Sequence, residues 1–174
     1  RCKHLNVWSN AGSAWINMVK WNACRADISL DDFEGEQCWI GVDLASKVDL
    51  TAMMLLFQRG DEFFLFGRYY LPSDTINLPE NAHYQRWHSE GHLTETPGAR
   101  TDYRYLMDDL FAFNDKFLIQ ELAYDPREAE MLMQEIRERV SFPCIDINQG
   151  PALISEPMKE FEALYLDEKL HHNG

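Results

Sequence analysis

Two aspartates flank a short polar loop in "CWIGVDLASKVDLTAMMLLF", residues 38–57: Asp43 ends one apolar run and Asp49 precedes the next. A third, Asp125, follows the later apolar run "KFLIQELAY" and opens "DPRE". A carboxylate at the tip of a strand built for the core is costly unless something compensates its charge. If the strands ending near Asp43 and Asp125 are parallel neighbours, their tips lie about 4.8 Å apart. Two carboxylates at that spacing repel by roughly 3 kcal/mol at an effective dielectric near 20. A divalent cation between them reverses the sign, and two such cations can clamp the attacking and leaving oxygens of a phosphodiester. Mg²⁺ suits the pattern, with Mn²⁺ as a substitute, because it takes few carboxylates and leaves room for water and phosphate oxygens.

Each residue also has a plainer reading. Asp125 stands where a helix N-cap belongs, with Pro126 at the first helical position and Glu128 as a capping-box partner. Capping uses one carboxylate oxygen and leaves the other for a metal. Asp43 before a turn fits an Asx turn, and Asp49 and Lys47 fit a solvated loop. Lys47 could otherwise steer a phosphate. Asp146, in "CIDIN", reads as an edge or surface residue. His83, His88 and His92 lack the flanking carboxylate or cysteine pattern of a zinc site. No G-x-x-x-x-G-K-[ST] loop is present.

The elements that must position these residues follow from periodicity. Residues 1–37 read as a lead-in, with helical spacing in "SAWINMVKWNAC" and an acidic connector after it. Three strands follow: "CWIGVDL", "TAMMLLF" (a continuous run suited to burial on both faces) and "EFFLFGRYYL". Short turns between them predict an antiparallel meander. Alternation puts Trp39, Gly41 and Asp43 on one face and Cys38, Ile40, Val42 and Leu44 on the other. Gly41 leaves room beside Asp43 for a close approach.

Beyond the meander, "LPSDTINLPEN" and "TETPGAR" read as loops around a short helix in "AHYQRWHSEGHL". Helix, strand, helix, strand and helix then follow in "TDYRYLMDDLFAFND", "KFLIQELAY", "DPREAEMLMQEIRERV", "CIDIN" and "SEPMKEFEALYLDEKL". Right-handed crossovers after a meander predict an α/β fold: a ribonuclease-H-like mixed sheet, three antiparallel strands then parallel strands, with helices on both faces.

A chain of 174 residues fits one domain, and its 45% apolar content is globular. It holds no run long enough to span a membrane and no signal-peptide pattern at its start. Its four cysteines form no C-x-x-C pair, which favours a reduced, cytoplasmic setting. The net charge of -13 argues against strong unaided binding to nucleic acid, so a DNA function needs cations or a partner to bring phosphates close.

Four ordered segments carry a family resemblance: "GVDLASKVDLTAMMLLF", "WHSEGHLTETPGARTDY", "AYDPREAEMLMQEI" and "INQGPALISEPMKEFEALYLDEKLHHNG". Together they resemble the C-terminal nuclease domain of the tailed-phage terminase large subunit, in the group with lambdoid and HK97-type prophages. The resemblance implies a metal-dependent endonuclease that cuts concatemeric double-stranded viral DNA by two-metal phosphodiester hydrolysis. It implies Asp43 as the central metal ligand and catalytic residue, Asp125 as the second, and Asp49 near the metals.

Residues 1–37 would then join a packaging ATPase domain of the same full-length chain to a nuclease domain at 38–174. The family's third acidic ligand lies beyond a segment matching "LHHNG", so the resemblance implies a C-terminally incomplete domain that binds Mg²⁺ or Mn²⁺ weakly and cuts poorly alone. The implied partners are the DNA, the portal protein and the small terminase subunit. The implied place is the host cytoplasm during virion assembly, without incorporation into the virion, secretion or a membrane.

Two other classes fit parts of the pattern. A non-catalytic docking module of the packaging motor would use Tyr84, Trp87, Tyr103 and Tyr105 as its surface and its carboxylates as caps. An actin-like ATPase or kinase fragment shares the opening strand and hairpin, but its phosphate-holding turn would here be "LASKVD", without glycine.

Overall fold

The structure, a computed structural model, describes residues 15–44, 49–127, 129–148 and 150–174. β1 (Gln37–Asp43), β2 (Thr51–Arg59) and β3 (Glu62–Pro72) form the expected antiparallel meander. β5 (Leu118–Tyr124) runs parallel to β1 on its other side, and β6 (Cys144–Asp146) runs parallel beyond β5. β4 (Thr94–Thr96) and β7 (Leu170–His172) both pair in parallel with β3, β4 near its C-terminal end and β7 near its start. The sheet is therefore mixed and ribonuclease-H-like, in the order β4-β3-β2-β1-β5-β6, with β7 also on β3.

Alternation decides what each face does. Cys38, Ile40 and Val42 of β1 and Met53, Leu55 and Phe57 of β2 are buried on one face. There they pack against α4 (Tyr103–Lys116) through Leu106 and Leu110, and against α5 (Glu130–Arg139) through Met133 and Ile136. The opposite face of β2 carries Ala52, Met54 and Leu56, which are half-buried. The β2 run is thus fully covered on one side only, short of the two-sided burial its unbroken apolar sequence suggests. That open side is the one shared by Gly41 and Asp43. Over its far part lies α6 (Pro151–Leu166), where Tyr165 packs with Cys24 and Leu170. Among the described residues no helix is long and apolar enough to cross a membrane.

The lead-in is folded onto this frame. Asn17 caps α1 (Met18–Ala23), its Oδ1 accepting from the Val19 and Lys20 N–H groups. The Ala26 N–H donates to the His172 carbonyl at 2.9 Å, and Phe33 is buried among Phe57, Phe64 and Phe66.

Several elements differ from the sequence expectation. The "LPSDTINLPEN" loop holds the one-turn helix α2 (Ser73–Ile76), the helix α3 is Ala82–Ser89, and "TETPGAR" contributes β4. Three-residue strands such as β4 and β7 are stabilised by pairing with β3, which local periodicity does not record. Helix α6 begins at Pro151, before the expected start, because proline at a first helical position gives up no hydrogen bond.

Tyr70 is buried on β3 and donates its hydroxyl to Asp109 Oδ2 at 2.6 Å. Burial first, and then this hydrogen bond, push its phenol well above the ordinary value. A folded-state value above the unfolded one gives stability that is fully present below about pH 10 and lost as pH rises through the folded value. Melting temperatures measured from pH 8 to 11 are expected to fall at the alkaline end in the wild type and to fall less in Tyr70→Phe. Equal alkaline slopes would show that Tyr70 is not the titrating group.

Candidate active site

The parallel pairing of β1 and β5 runs to Val42 opposite Tyr124. The next residue on each strand is an aspartate, so Asp43 and Asp125 leave adjacent strand ends. Both line one open cleft of about 270 Å³, together with Gly41, Ala52, Met54, Ala123 and Ile154 of α6. The neighbouring tips expected from the sequence are brought together.

Asp43 is exposed and has no hydrogen-bond partner among the described residues. Asp125 is half-buried, and its Oδ1 accepts the Arg127 N–H at 2.9 Å. It does not cap the following helix. The N-cap of α5 is Ala129, whose own N–H turns back to the Pro126 carbonyl. The aspartate closes a local two-residue turn, which competes with helix capping for the same oxygen. Glu128, the expected capping-box partner, lies outside the described residues. Asp125 Oδ2 accepts no hydrogen bond among the described residues, and the turn holds the carboxylate in place as an outer hydrogen bond does for a metal ligand. This Arg127 contact was missed from sequence, although an aspartate two residues ahead of a free N–H in "DPR" is its signal.

Gly41 gives the cleft its floor space. A Cβ built there meets nothing within 4 Å, and the backbone there does not require glycine. Gly41→Val is therefore expected to fold at least as stably, since β-branched residues suit strands. It should also weaken Mn²⁺ binding several-fold by filling the cleft. Unchanged binding would show that the space is not used.

Asp49 is exposed just before β2 and does not line the cleft, and the loop residues 45–48 with Lys47 lie outside the described residues. Asp146 pairs in register with Tyr124, so it faces the side opposite to Asp125 and stays exposed on the edge strand. Among the described residues no group of three or more His, Cys, Asp or Glu gathers as a metal cluster. Two carboxylates in a cleft open to water still fit a hard cation of the Mg²⁺ kind, which keeps several waters.

His88 serves the scaffold. His88 Nδ1 donates to the Leu93 carbonyl at 3.0 Å, and its Nε2 faces Glu95, tying α3 to β4. Burial pushes the Cys38 thiol up to about 12, so it is inert at neutral pH. A larger cavity of about 720 Å³, lined by Tyr69, Trp87 and His92, opens at the edge of β3. It contains neither paired aspartate, and chemistry rather than size singles out the smaller cleft.

The family described as "terminase large subunit, endonuclease domain" matches residues 1–174. Protein YmfN of Escherichia coli (strain K12) is 33% identical over 187 residues, covering 100% of this chain and 41% of that protein. The terminase large subunit of Enterobacteria phage HK97 is 24% identical over 174 residues, covering 97% of this chain and 34% of that protein. The crystal structure of the HK97 bacteriophage large terminase superposes with a TM-score of 0.78 at 23% identity, over 92% of this chain and 34% of that one. The large terminase of a thermophilic bacteriophage superposes at 0.54 with 9% identity, over 91% and 32%. The chain thus spans well under half the length of the curated relatives it matches. By its match along the full sequence and by its fold, the chain belongs to the terminase large subunit endonuclease-domain family.

Proposed function

We propose that this chain is the endonuclease part of a DNA-packaging terminase, cutting concatemeric double-stranded viral DNA by divalent-metal-dependent phosphodiester hydrolysis. The observation that carries the reading is the pairing of Asp43 and Asp125 at adjacent strand ends in one open cleft. Mg²⁺, with Mn²⁺ as a substitute, would be held by the Asp43 and Asp125 carboxylates, with Asp49, which stands outside the cleft just before β2, as the further candidate ligand.

Divalent cations bound here supply Lewis-acid activation of water and stabilisation of the departing oxygen. The rest is the work of the chain. The β1–β5 ladder fixes the carboxylate spacing, and the Arg127 N–H holds Asp125 in one orientation. Tyr124 is pinned beneath by Arg137, which donates to its hydroxyl at 2.5 Å. Gly41 leaves the backbone open to a phosphate.

In this reading residues 1–37 lead in from a packaging ATPase domain of a longer chain, and 38–174 form the nuclease. The portal protein, the small subunit and the DNA are its partners in the host cytoplasm. The acidic balance then has a use, since weak intrinsic affinity keeps a nuclease from cutting while DNA is moving.

Mn²⁺ binding followed by the electron paramagnetic resonance of the free ion tests the reading directly. Saturable loss of the free signal with wild-type chain, reversed by excess Mg²⁺, is expected. Absence of binding at millimolar Mn²⁺ would favour the docking-module reading, in which the carboxylates only close turns.

A further inference from the structure

Among the described residues the cations are mostly engaged. Every lysine among the described residues pairs with a carboxylate: Lys20 with Glu168, Lys116 with Asp31, Lys159 with Glu156, Lys169 with Asp61. Four arginines do the same. Arg137 is held by Tyr124, and Arg68 lies 5.7 Å from the Phe113 ring centroid. Arg25 lies against Gly174, and Arg100 follows β4 at the opposite edge of the sheet from β5 and β6. Arg127 is different. It is exposed, and its guanidinium has no ion pair, ring contact or hydrogen bond among the described residues. It is also tied to the cleft, because its own N–H binds the Asp125 carboxylate.

An unpaired arginine two residues after Asp125, at the border of an acidic cleft, is in a demanding place. Carboxylates repel an incoming phosphate backbone, and the chain as a whole carries a charge of -13. Arginine offers planar, bidentate recognition of phosphate and cannot lose its charge at neutral pH. Its backbone is anchored to Asp125, so the distance from guanidinium to cleft is limited by one side chain.

We infer that Arg127 binds a backbone phosphate of the DNA flanking the bond to be cut, and so positions the strand over the Asp43–Asp125 cleft. This rests on the nuclease reading above and adds to it a substrate-positioning residue. Contacts of this kind place DNA without reading its sequence.

The test is duplex binding by the full chain in Mn²⁺, followed by fluorescence anisotropy over a series of KCl concentrations. Each phosphate contact contributes about 0.9 to the slope of log K against log salt. Arg127→Ala, which keeps the backbone N–H that holds Asp125, should lower the magnitude of that slope by about 1 and weaken binding several-fold at low salt, while Mn²⁺ still binds. Arg127→Lys should keep the slope while recovering only part of the affinity. A merely structural role would not produce that split. An unchanged slope and affinity in Arg127→Ala, with Mn²⁺ binding intact, overturns the inference and leaves the nuclease reading standing. Failure of the wild type to bind Mn²⁺ overturns both. Failure to bind duplex while Mn²⁺ binds overturns this inference alone.

Discussion

Asp43→Asn is expected to keep the fold and lose the response to divalent cations. Asparagine has nearly the same shape, and the replaced carboxylate is exposed with no hydrogen bond to break among the described residues. Removing its charge also relieves the repulsion from Asp125 at the next strand tip. The melting temperature without metal should therefore hold or rise slightly, while the upward shift given by Mn²⁺ disappears. In a full-length protein carrying this chain, DNA cleavage should drop by at least about 10³-fold, or about 4 kcal/mol of barrier.

Asp125→Asn makes the informative companion. An amide oxygen can still accept the Arg127 N–H, so the turn persists while the charge is gone. Loss of Mn²⁺ binding in this variant separates the metal role from the turn role. Retention of the full Mn²⁺ response by both variants would sink the assignment of this cleft.

The largest stability loss is expected at Phe33→Ala, in the segment read from sequence as a lead-in. Its ring is fully buried, with centroids 4.7 Å from Phe57, 5.1 Å from Phe64 and 5.4 Å from Phe66. The Arg59 guanidinium lies 4.0 Å from its centroid and also pairs with Glu36. Truncation leaves a cavity between the sheet and the connector that these rigid neighbours cannot close. A cost of about 3–5 kcal/mol is usual for such a site. Urea unfolding should show a lowered midpoint with little change in slope. A loss below about 1 kcal/mol would mean that the connector is only loosely attached.

These two sites mark the limits of what could be read from residues. The alternation around Gly41 and Asp43 placed the carboxylate on the right face, because a half-covered sheet forces period two on β1. The parallel β1–β5 pairing followed from crossover handedness, which constrains topology strongly. Phe33 carried no such signal. One aromatic residue in an acidic stretch looks like a loop until the partners that bury it are known.

The turn at Asp125 was ambiguous for a related reason. "DPRE" satisfies the rules for a helix start, and only the position of Ala129 shows that the helix begins later. The short strands β4 and β7 were invisible because their stability comes from β3, far away in sequence.

The β1–β5 neighbourhood also bears on biosynthesis. Asp43 emerges from the ribosome before its counterpart, which stands beyond β2, β3, β4 and the crossover helix α4. Contacts between such distant segments form late, since their loop-closure entropy must be met first. A nascent chain therefore holds only one of the two paired carboxylates until β5 has been made and docked beside β1, and under the proposed function it has no assembled site before then.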